Sequence, residues 1–430
     1  MKILLIDDDE AKRERVKTAL FEAFDADPPT ISEAKDYDEA MTALRASHFD
    51  LVILDLLLPV AGGTANKEMS RGIMKSVLHG TNAFPPTHII GLTAFSEVAE
   101  AEQAFYAENL LALEIYDAVE NGWADRLVAR IRYLIKSKQA AARFQANSFD
   151  YDLVILVARY KKEFLPIADM LLPGESVDTH PLWKKTARFG SIEVPGLRSL
   201  RTAICCIGEM GMAPAAAMTS QAIALFRPRL VAMLGMCCGF EIRECASPRQ
   251  MLDVIVAREV CCWEEGRYQD ESKNHPEFKN RSIPRQVDDR IRKALSAAIE
   301  EGVTTLEPAL TAFAAESDYQ EIRTHFGVEK VREIPDVQFS RLVSGSSVIA
   351  DSQMIREILV RHSGALGLDM EMYGVYTAAE HSIGTPPSVV GIKGVADFGD
   401  AKKDKKAQVK ASVASATVFV NLLPHLPIWD

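Results

Sequence analysis

Short apolar runs alternate with segments of helical periodicity over residues 1–138, and this alternation restricts the possible fold more than any other feature of the chain. Such an order is typical of a parallel sheet whose strands are joined by crossover helices, so we expect an α/β domain with five strands. The predicted strands are Lys2 to Ile6, Pro29 to Glu33, Leu51 to Leu54, His88 to Leu92 and Leu111 to Ile115. The predicted helices are Ala11 to Phe24, Tyr37 to Ser47, Ser70 to Leu78, Glu97 to Ala107 and Gly122 to Ile135.

The chain has 430 residues, which is too long for one ordinary hydrophobic core and indicates two or three domains. Helical periodicity fades between Lys136 and Asp150, and a second α/β pattern begins at Tyr151. We therefore predict a first domain at residues 1–138, a linker at 139–150 and a second domain at 151–430.

Composition and charge exclude some classes of protein. No run of eighteen apolar residues is present, and acids at positions 7 to 9 stand where a secretory signal would be apolar, so we expect a cytoplasmic protein without a membrane partner. Residues 1–150 carry 16 Lys and Arg against 24 Asp and Glu, a net charge of −8. Because binding of nucleic acid needs a basic face, this acidity argues against a nucleic-acid partner.

Polar residues follow three predicted strands of the first domain. Asp7 and Asp8 come after the first strand, Asp55 after the third and Thr93 after the fourth. Carboxylates grouped at one edge of a sheet suit a hard cation such as Mg²⁺, which screens a phosphoryl group that arrives at an Asp nucleophile.

This spacing resembles that of response-regulator receiver domains, which have a flavodoxin-like fold. The resemblance implies that Asp55 is the phosphoacceptor, that Asp7, Asp8 and Asp55 hold Mg²⁺, and that Thr93 senses the phosphoryl group. Asp9 is a weaker candidate ligand. A cognate histidine kinase or phosphotransfer partner is also implied.

One departure from the receiver pattern concerns a lysine. Receivers carry a Lys after the fifth strand, whereas here that place reads Glu114-Ile115-Tyr116-Asp117. The cation that usually pairs with the phosphoryl oxygen is therefore missing from its expected position. A pseudo-receiver that serves only for docking remains an alternative.

Two carboxylates near the end of the chain are candidates for chemistry. Glu371 follows Met370 in a helix-forming run, and Asp397 ends a strand-like run that starts at Ser388, at a turn bracketed by glycines. Ligands of open α/β sheets bind beyond the carboxyl ends of the strands. Taken alone, the pair could equally be a solvated helix carboxylate and a turn former.

These two motifs follow a Gly-rich turn at Gly208 to Ala217, a second turn at Gly235 to Phe240, and Ser344 to Val348. In this order they resemble the nucleoside phosphorylase and nucleosidase superfamily, whose fold is a three-layer α/β domain. The resemblance implies that Glu371, with Met370, holds the ribose hydroxyls and that Asp397 protonates the leaving purine.

The same resemblance assigns further contacts to the ligand. Gly211 belongs to the Gly-rich turn that lies against it. Val348 stands where relatives often place an aromatic residue that stacks on the purine, so Phe398 or Trp263 could take over that role. Both aromatic residues could equally belong to the core.

Water or phosphate could be the nucleophile. Phosphorolytic relatives bind phosphate with an Arg beside the Gly-rich turn, whereas this turn contains Glu209 and no base, which favours water. Hydrolytic relatives orient the water with a Glu after the first strand, and Glu163 is the nearest match, although a helix-surface Glu is an equal alternative. No cofactor is expected for this chemistry.

Basic residues are dense near the proposed site turns. A nucleotide needs cations to pair with its phosphates, whereas a nucleoside thioether needs an apolar wall. Arg159 and Lys402 are therefore candidate phosphate ligands, although a Lys run is often a solvated helix start. The basic positions are Arg159, Lys161, Lys162, Arg243, Arg267 and the run Lys402 to Lys406.

The whole chain resembles the response-regulator effectors of antiphage systems of the Detocs type, in which the nucleoside-phosphorylase-like domain is implicated in hydrolysing ATP to adenine and ribose 5′-triphosphate. The resemblance implies a purine nucleotide substrate, activation through the receiver and at least a dimer. Two rivals stay open. One is a methylthioadenosine or S-adenosylhomocysteine nucleosidase, or a phosphorylase; the other is a nucleotide-binding signalling module without activity.

Overall fold

The computed structural model describes all residues except 81, 110, 147, 176, 179, 181, 241–248, 270–276, 301–305, 400–404 and 430. It divides the chain into two compact units, Met1–Arg143 and Phe144–Asp430. No helix within the described ranges combines the length and the apolar character that crossing a lipid bilayer requires.

The first unit is built on a five-stranded parallel sheet, which confirms the receiver-like fold predicted for it. Its elements are β1 (Lys2–Ile6), α1 (Glu10–Ala23), β2 (Thr30–Ala34), α2 (Tyr37–Ala46), β3 (Leu51–Leu54), α3 (Lys67–His79), β4 (His88–Thr93), α4 (Ser96–Glu108), β5 (Ala112–Ile115) and α5 (Gly122–Ala146). The strand order is β2-β1-β3-β4-β5. Strand β3 is buried along its whole length, because helices cover both faces of such a sheet.

Several boundaries in this unit differ from the prediction, and three of the differences have a local cause. Strand β2 begins at Thr30 rather than Pro29, because Pro has no N–H to donate to the neighbouring strand. Helix α3 begins at Lys67, since the Asn66 side chain caps it by accepting hydrogen bonds from two backbone N–H groups. Helix α5 continues to Ala146, into the predicted linker, because that stretch is rich in Ala, Lys and Gln, which favour helix.

The second unit combines a large mixed sheet with helices on its faces. Its strands are β6 (Tyr151–Val157), β7 (Val177–Asp178), β8 (Ala187–Ile192), β9 (Leu200–Cys206), β10 (Pro228–Met233), β11 (Met236–Gly239), β12 (Val254–Cys262), β13 (Gly266–Gln269), β14 (Glu277–Asn280), β15 (Arg285–Gln286), β16 (Val337–Ser344), β17 (Ala365–Asp369) and β18 (Ser388–Asp397). Its α-helices are α6 (Leu165–Leu171), α7 (Met212–Phe226), α8 (Asp289–Glu300), α9 (Leu306–Ala314), α10 (Ser317–Phe326), α11 (Ser352–Arg361), α12 (Met372–Glu380) and α13 (Gln408–Leu422). A π-helical turn at Tyr160–Phe164 precedes α6, and a 3₁₀ turn at Leu423–His425 follows α13.

Strand β18 is the hub of this sheet. It pairs with β11 and with β12, so that β12, β16, β17, β11 and β18 close into a ring. Beyond the ring, β18, β10, β6 and β9 are parallel neighbours. The carboxyl ends of these four strands therefore meet at one edge of the sheet, where ligands of α/β proteins usually bind.

Helix α12 packs closely on α7, which brings the turn after β17 next to the turn after β9. Residue 374 in α12 is glycine, and a Cβ there would lie only 2.3 Å from the carbonyl oxygen of Met212 at the start of α7. Glycine therefore permits the approach of the two backbones. As a result Glu371, which directly precedes α12, lies beside Gly211, which directly precedes α7.

Candidate active site and receiver site

A cavity of about 300 Å³ opens at the strand-end edge of the second unit. Parts of the chain that are far apart in sequence contribute to its wall, because several strands end there. Among the residues that line it are six predicted site residues, namely Arg159, Glu163, Val348, Met370, Glu371 and Asp397. The fold thus brings together most of the side chains that the sequence singled out in this unit.

Asp397 is the last residue of β18 and borders this cavity. Its Oδ1 accepts a hydrogen bond of 2.9 Å from the N–H of Gly399, in the glycine turn that the sequence predicted. The side chain is half-buried. Its place at the end of a central strand holds the carboxyl group at a fixed point of the cavity wall.

Glu163 lies in the π-helical turn after β6 rather than at the start of a regular helix, and it is buried. Its Oε2 accepts hydrogen bonds from the N–H groups of Ala158 (2.9 Å) and Arg159 (2.7 Å), while Oε1 accepts one from Met236 (3.1 Å). Three backbone donors fix the orientation of this carboxylate at the cavity. Single π-helical turns of this kind are frequent at functional sites.

Glu371 directly precedes α12, so it is not inside the helix as predicted. Its Oε1 accepts a hydrogen bond of 3.2 Å from the N–H of Gly211, which connects two of the predicted substrate ligands. Burial raises the pKa of Glu371 to about 7, although the nearby Lys393 opposes that rise.

Lys393, in the middle of β18, was missed by the sequence reasoning. Its side chain is fully buried, with Nζ 3.4 Å from Oδ2 of Asp369 and 3.6 Å from Oε2 of Glu371. Burial alone would lower the pKa of Lys393, but these carboxylates raise it above its ordinary value. A lysine inside an otherwise apolar strand was the available signal, since such a residue is rarely buried without a charged partner.

A groove of about 830 Å³ adjoins the cavity and shares several wall residues with it, including Arg159, Met210 and Val348. The charged residues of the groove are Arg159, Lys161, Lys162 and Glu209, which gives three positive charges against one negative charge. Lys405 lines the cavity itself. Lys402 and Arg243 lie outside the described residues.

The aromatic candidates occupy other places. Neither Phe398 nor Trp263 is among the described residues that line the cavity. Phe398 lies against Gly239, and Trp263 belongs to an apolar cluster behind the cavity wall. The position of Phe398 therefore does not support its predicted contact with a purine. The apolar wall consists of Met236, Ile349, Leu368, Met370 and Ala396, with Val348 exposed at the mouth.

In the first unit the carboxylates of Asp7, Asp8 and Asp55 form a group that could hold a metal ion, with oxygens within 4.8 Å of one another. Asp9 instead caps α1 by accepting hydrogen bonds from two backbone N–H groups of that helix. Burial raises the pKa of Asp55 to about 6 and also raises that of Asp7. Thr93 is buried at the end of β4, where its Oγ1 accepts a hydrogen bond from the N–H of Phe95.

A lysine does reach this site, but from α1 rather than from the end of β5. The Nζ of Lys12 lies 2.7 Å from Oδ2 of Asp7 and 3.2 Å from Oδ1 of Asp55, and it donates a hydrogen bond of 2.7 Å to the carbonyl oxygen of Leu92. Three carboxylates and one ammonium leave a formal charge of −2, which fits one Mg²⁺. When bound, Mg²⁺ would screen the charge of an incoming phosphoryl group.

Comparison with known proteins agrees with this two-part architecture. A family model of the response regulator receiver domain matches residues 3–113, and a model of the phosphorylase superfamily matches residues 154–423. The chain is 26% identical to protein y4jS of Sinorhizobium fredii, and the alignment covers 99% of each chain.

Two further proteins resemble part of the chain. The ATP nucleosidase Cap17 of Escherichia coli is 25% identical over 64% of this chain, and the alignment spans 50% of Cap17. The 5′-methylthioadenosine/S-adenosylhomocysteine nucleosidase of Neisseria meningitidis superposes with a TM-score of 0.43 at 16% identity, covering 64% of this chain and 99% of that structure.

Proposed function

The chain belongs to the phosphorylase superfamily and carries a response regulator receiver domain, and from this premise we propose that it is a signal-regulated purine N-glycosidase. Its substrate is ATP or another adenine nucleotide, which it hydrolyses to adenine and, for ATP, ribose 5′-triphosphate. In this proposal it serves as an antiphage effector in the cytoplasm. The observation that carries the proposal is one cavity, bordered by Asp397, Glu163 and Glu371, which adjoins a groove lined by three cations.

Asp397 is the proposed general acid. Cleavage of an N-glycosidic bond needs a proton for the leaving base, because the bond electrons depart with the purine. The carboxyl group of Asp397 donates that proton as the bond from the sugar to the base breaks. Its fixed place at the end of β18 supports this role.

Glu371 is the proposed ligand of the ribose hydroxyls. Its Oε1 is held by the N–H of Gly211, and its Oε2 faces Lys393. A carboxylate near the ring also stabilises the positive charge that develops on the sugar as the bond breaks. Met370 lines the same wall and packs against the sugar.

Glu163 is the proposed ligand of the attacking water. Three backbone N–H groups orient its carboxylate, and it borders the cavity together with Asp397 and Glu371. Water adds to the sugar carbon that loses the base, and its proton passes to the carboxylate. Among the described residues, the turn before α7 contributes Glu209 to the groove but no basic side chain that could bind inorganic phosphate. This favours water over phosphate as the nucleophile.

The groove is the proposed place of the phosphates. Arg159, Lys161 and Lys162 follow β6 there. Lys402, the other phosphate ligand that we propose, lies outside the described residues. Charged hydrogen bonds to phosphate oxygens are about twice as strong as neutral ones, so such a groove favours a nucleotide over a thioether nucleoside. The apolar wall around Ile349 and Leu368 then receives the base.

The receiver is the proposed control element. A histidine kinase or phosphotransfer partner phosphorylates Asp55, Thr93 senses the phosphoryl group, and the change shifts the second domain toward an active state. We retain residues 1–138, 139–150 and 151–430 as the proposed receiver, linker and effector domains, and at least a dimer as the proposed assembly.

Product analysis tests this function. The protein, treated with a small phosphodonor and Mg²⁺, is incubated with ATP in the presence and absence of inorganic phosphate, and the sugar product is identified by mass spectrometry. Hydrolysis yields ribose 5′-triphosphate in both cases. A product phosphorylated at the sugar carbon that carried the base, formed only with phosphate, would instead establish a phosphorylase. Tight ATP binding without release of adenine would establish a binding module.

A further inference from the structure

Helix α1 contains a buried lysine whose position is unfavourable unless it has a specific partner. Lys12 lies in the first turn of α1, where the helix dipole is positive and a cation is destabilised. Its side chain is nevertheless only 3% exposed. The compensation comes from the carboxylates of Asp7 and Asp55 and from the carbonyl oxygen of Leu92. These three acceptors match the three N–H groups of an ammonium.

The surroundings of Lys12 connect it to the end of β5. Its Nζ lies 5.6 Å from the ring centroid of Tyr116, which is the residue directly after that strand. Neighbouring cations on α1 do not pair with the carboxylates of this site: Arg13 pairs with Glu33 and donates to the backbone carbonyl of Asp7, and Arg15 donates to Asn121 and to the Tyr116 hydroxyl. The cation at the carboxylate site therefore comes from α1 and lies next to the residue that directly follows β5.

We propose that Lys12 supplies the positive charge that pairs with a phosphoryl group on Asp55, and so replaces the lysine that is missing after β5. This inference rests on the proposed function of Asp55 as phosphoacceptor. An oxygen of Asp55 attacks the phosphorus of a phosphohistidine, the new P–O bond forms, and the P–N bond breaks with its electron pair on the imidazole. The phosphoryl group brings nearly two negative charges.

The contact distances indicate which interaction Lys12 exchanges. Its contact with Asp55, at 3.2 Å, is longer than those with Asp7 and Leu92, at 2.7 Å each. The ammonium therefore moves from Asp55 to a phosphoryl oxygen with little loss. Leu92 directly precedes Thr93, so the same ammonium connects the phosphoryl group with the end of β4, where the sensing residue lies.

Two binding measurements on the full-length protein separate this role from a purely structural one. The first is the affinity for Mg²⁺ alone, and the second is the affinity for trifluoroberyllate, a phosphoryl mimic, at saturating Mg²⁺. Calorimetry reports both. In Lys12→Met the trifluoroberyllate affinity falls by about 10-fold or more, because a charged hydrogen bond is lost. The Mg²⁺ affinity stays the same or increases, since one competing positive charge has been removed.

Matched variants make the result specific. Lys12→Arg keeps the charge and retains most of the trifluoroberyllate affinity, while Lys17→Met removes an equal charge from α1, where Lys17 pairs with Glu33, and changes neither affinity. Lys12→Gln keeps a polar side chain of similar length and takes the place of Lys12→Met if thermal melting shows that the latter is unfolded.

Each outcome decides the question. Unchanged trifluoroberyllate affinity in the neutral variants overturns the proposal. A parallel loss of Mg²⁺ and trifluoroberyllate affinity in a folded variant also overturns it, because Lys12 then only arranges the carboxylates. If the unaltered protein does not bind trifluoroberyllate, the proposed role of Asp55 as phosphoacceptor is wrong. The proposed role of Lys12 then fails with it. A lower trifluoroberyllate affinity together with an unchanged or higher Mg²⁺ affinity supports the proposal.

Discussion

Gly235 and Glu163 fit so closely that a Cβ on Gly235 would lie 2.2 Å from Oε1 of Glu163. Gly235 follows the end of β10 with φ at +134°, a conformation that other residues rarely adopt. The next N–H, that of Met236, donates to the same carboxylate oxygen. The place of Glu163 at the cavity therefore depends on a glycine in the turn after a neighbouring strand.

Substitution of that glycine tests the role of Glu163. In Gly235→Ala the new methyl group displaces the carboxylate, and we expect adenine release to fall about 100-fold, as for other misplacements of a catalytic group by about 1 Å. Gly196→Ala is the control, because Gly196 also has a positive φ but open space around it. Equal activity of the two variants would show that Glu163 does not orient the nucleophile.

Replacement of Asp397 tests the general acid. Asp397→Asn keeps the size of the side chain but removes the proton that the leaving purine needs, and we expect kcat to fall by about 10²- to 10⁴-fold. Steady-state rates of adenine release measure this effect. Asp289→Asn, at an exposed carboxylate on α8, serves as the control and keeps full activity. A decrease of only a few fold in Asp397→Asn would assign the proton to another group.

The pH dependence of adenine release tests the role of Glu371. Only the ionised carboxylate binds the ribose hydroxyls well, and the pKa of this group is raised to about 7. We therefore expect the acid limb of the kcat/KM profile, on which the rate rises with pH, to have its midpoint near that value. Adenosine is the suitable substrate, because it has no phosphate that titrates in this range. Glu371→Gln should flatten the profile and lower it.

Replacement of Lys393 by a neutral residue should shift the pH profile of adenine release toward higher pH. Its positive charge opposes the rise in the pKa of Glu371, so its removal raises this pKa further. In Lys393→Met the midpoint of the pH profile is expected above that of the unaltered protein, whereas Lys393→Arg should leave it nearly unchanged. A midpoint that does not move in a folded Lys393→Met variant would show that another group controls the profile.

Charge reversal in the groove tests the binding of phosphates. Arg159→Glu and Lys161→Glu each remove a cation and add a repulsive charge, so the KM for ATP should rise by about 10-fold or more. The KM for methylthioadenosine should stay the same, because that substrate has no phosphate. Lys293→Glu, on the exposed face of α8, is the matched control. An equal effect on both substrates would argue against a nucleotide subsite in the groove.

Much of the fold was predictable because strand and helix periodicity is local information. The bounds of β1 and β3 agree with the prediction, since each is a short apolar run that polar or turn residues delimit. The ends of helices were less accurate, as α5 shows. There, a composition that favours helix extends the element beyond its amphipathic part.

The cavity was predictable only in part. Asp397, Glu371 and Glu163 could be found because their motifs have a fixed order along the chain. Lys12 could not, and Lys393 offered only the signal of a charged residue in an apolar strand, because the carboxylates that pair with these two lysines lie in or directly after other strands. Pairing between distant charges depends on tertiary structure, which no local pattern records.

Release of adenine from ATP is the measurement that tests the central claim most directly. Full-length protein treated with a small phosphodonor and Mg²⁺ is incubated with ATP, AMP, adenosine or methylthioadenosine, beside untreated protein, Asp55→Asn and Asp397→Ala. We predict adenine and ribose 5′-triphosphate from ATP in the treated protein, much less in the untreated protein and Asp55→Asn, and none in Asp397→Ala. Preferential cleavage of methylthioadenosine, or ATP binding without any adenine after Asp55 has been phosphorylated, would contradict the account.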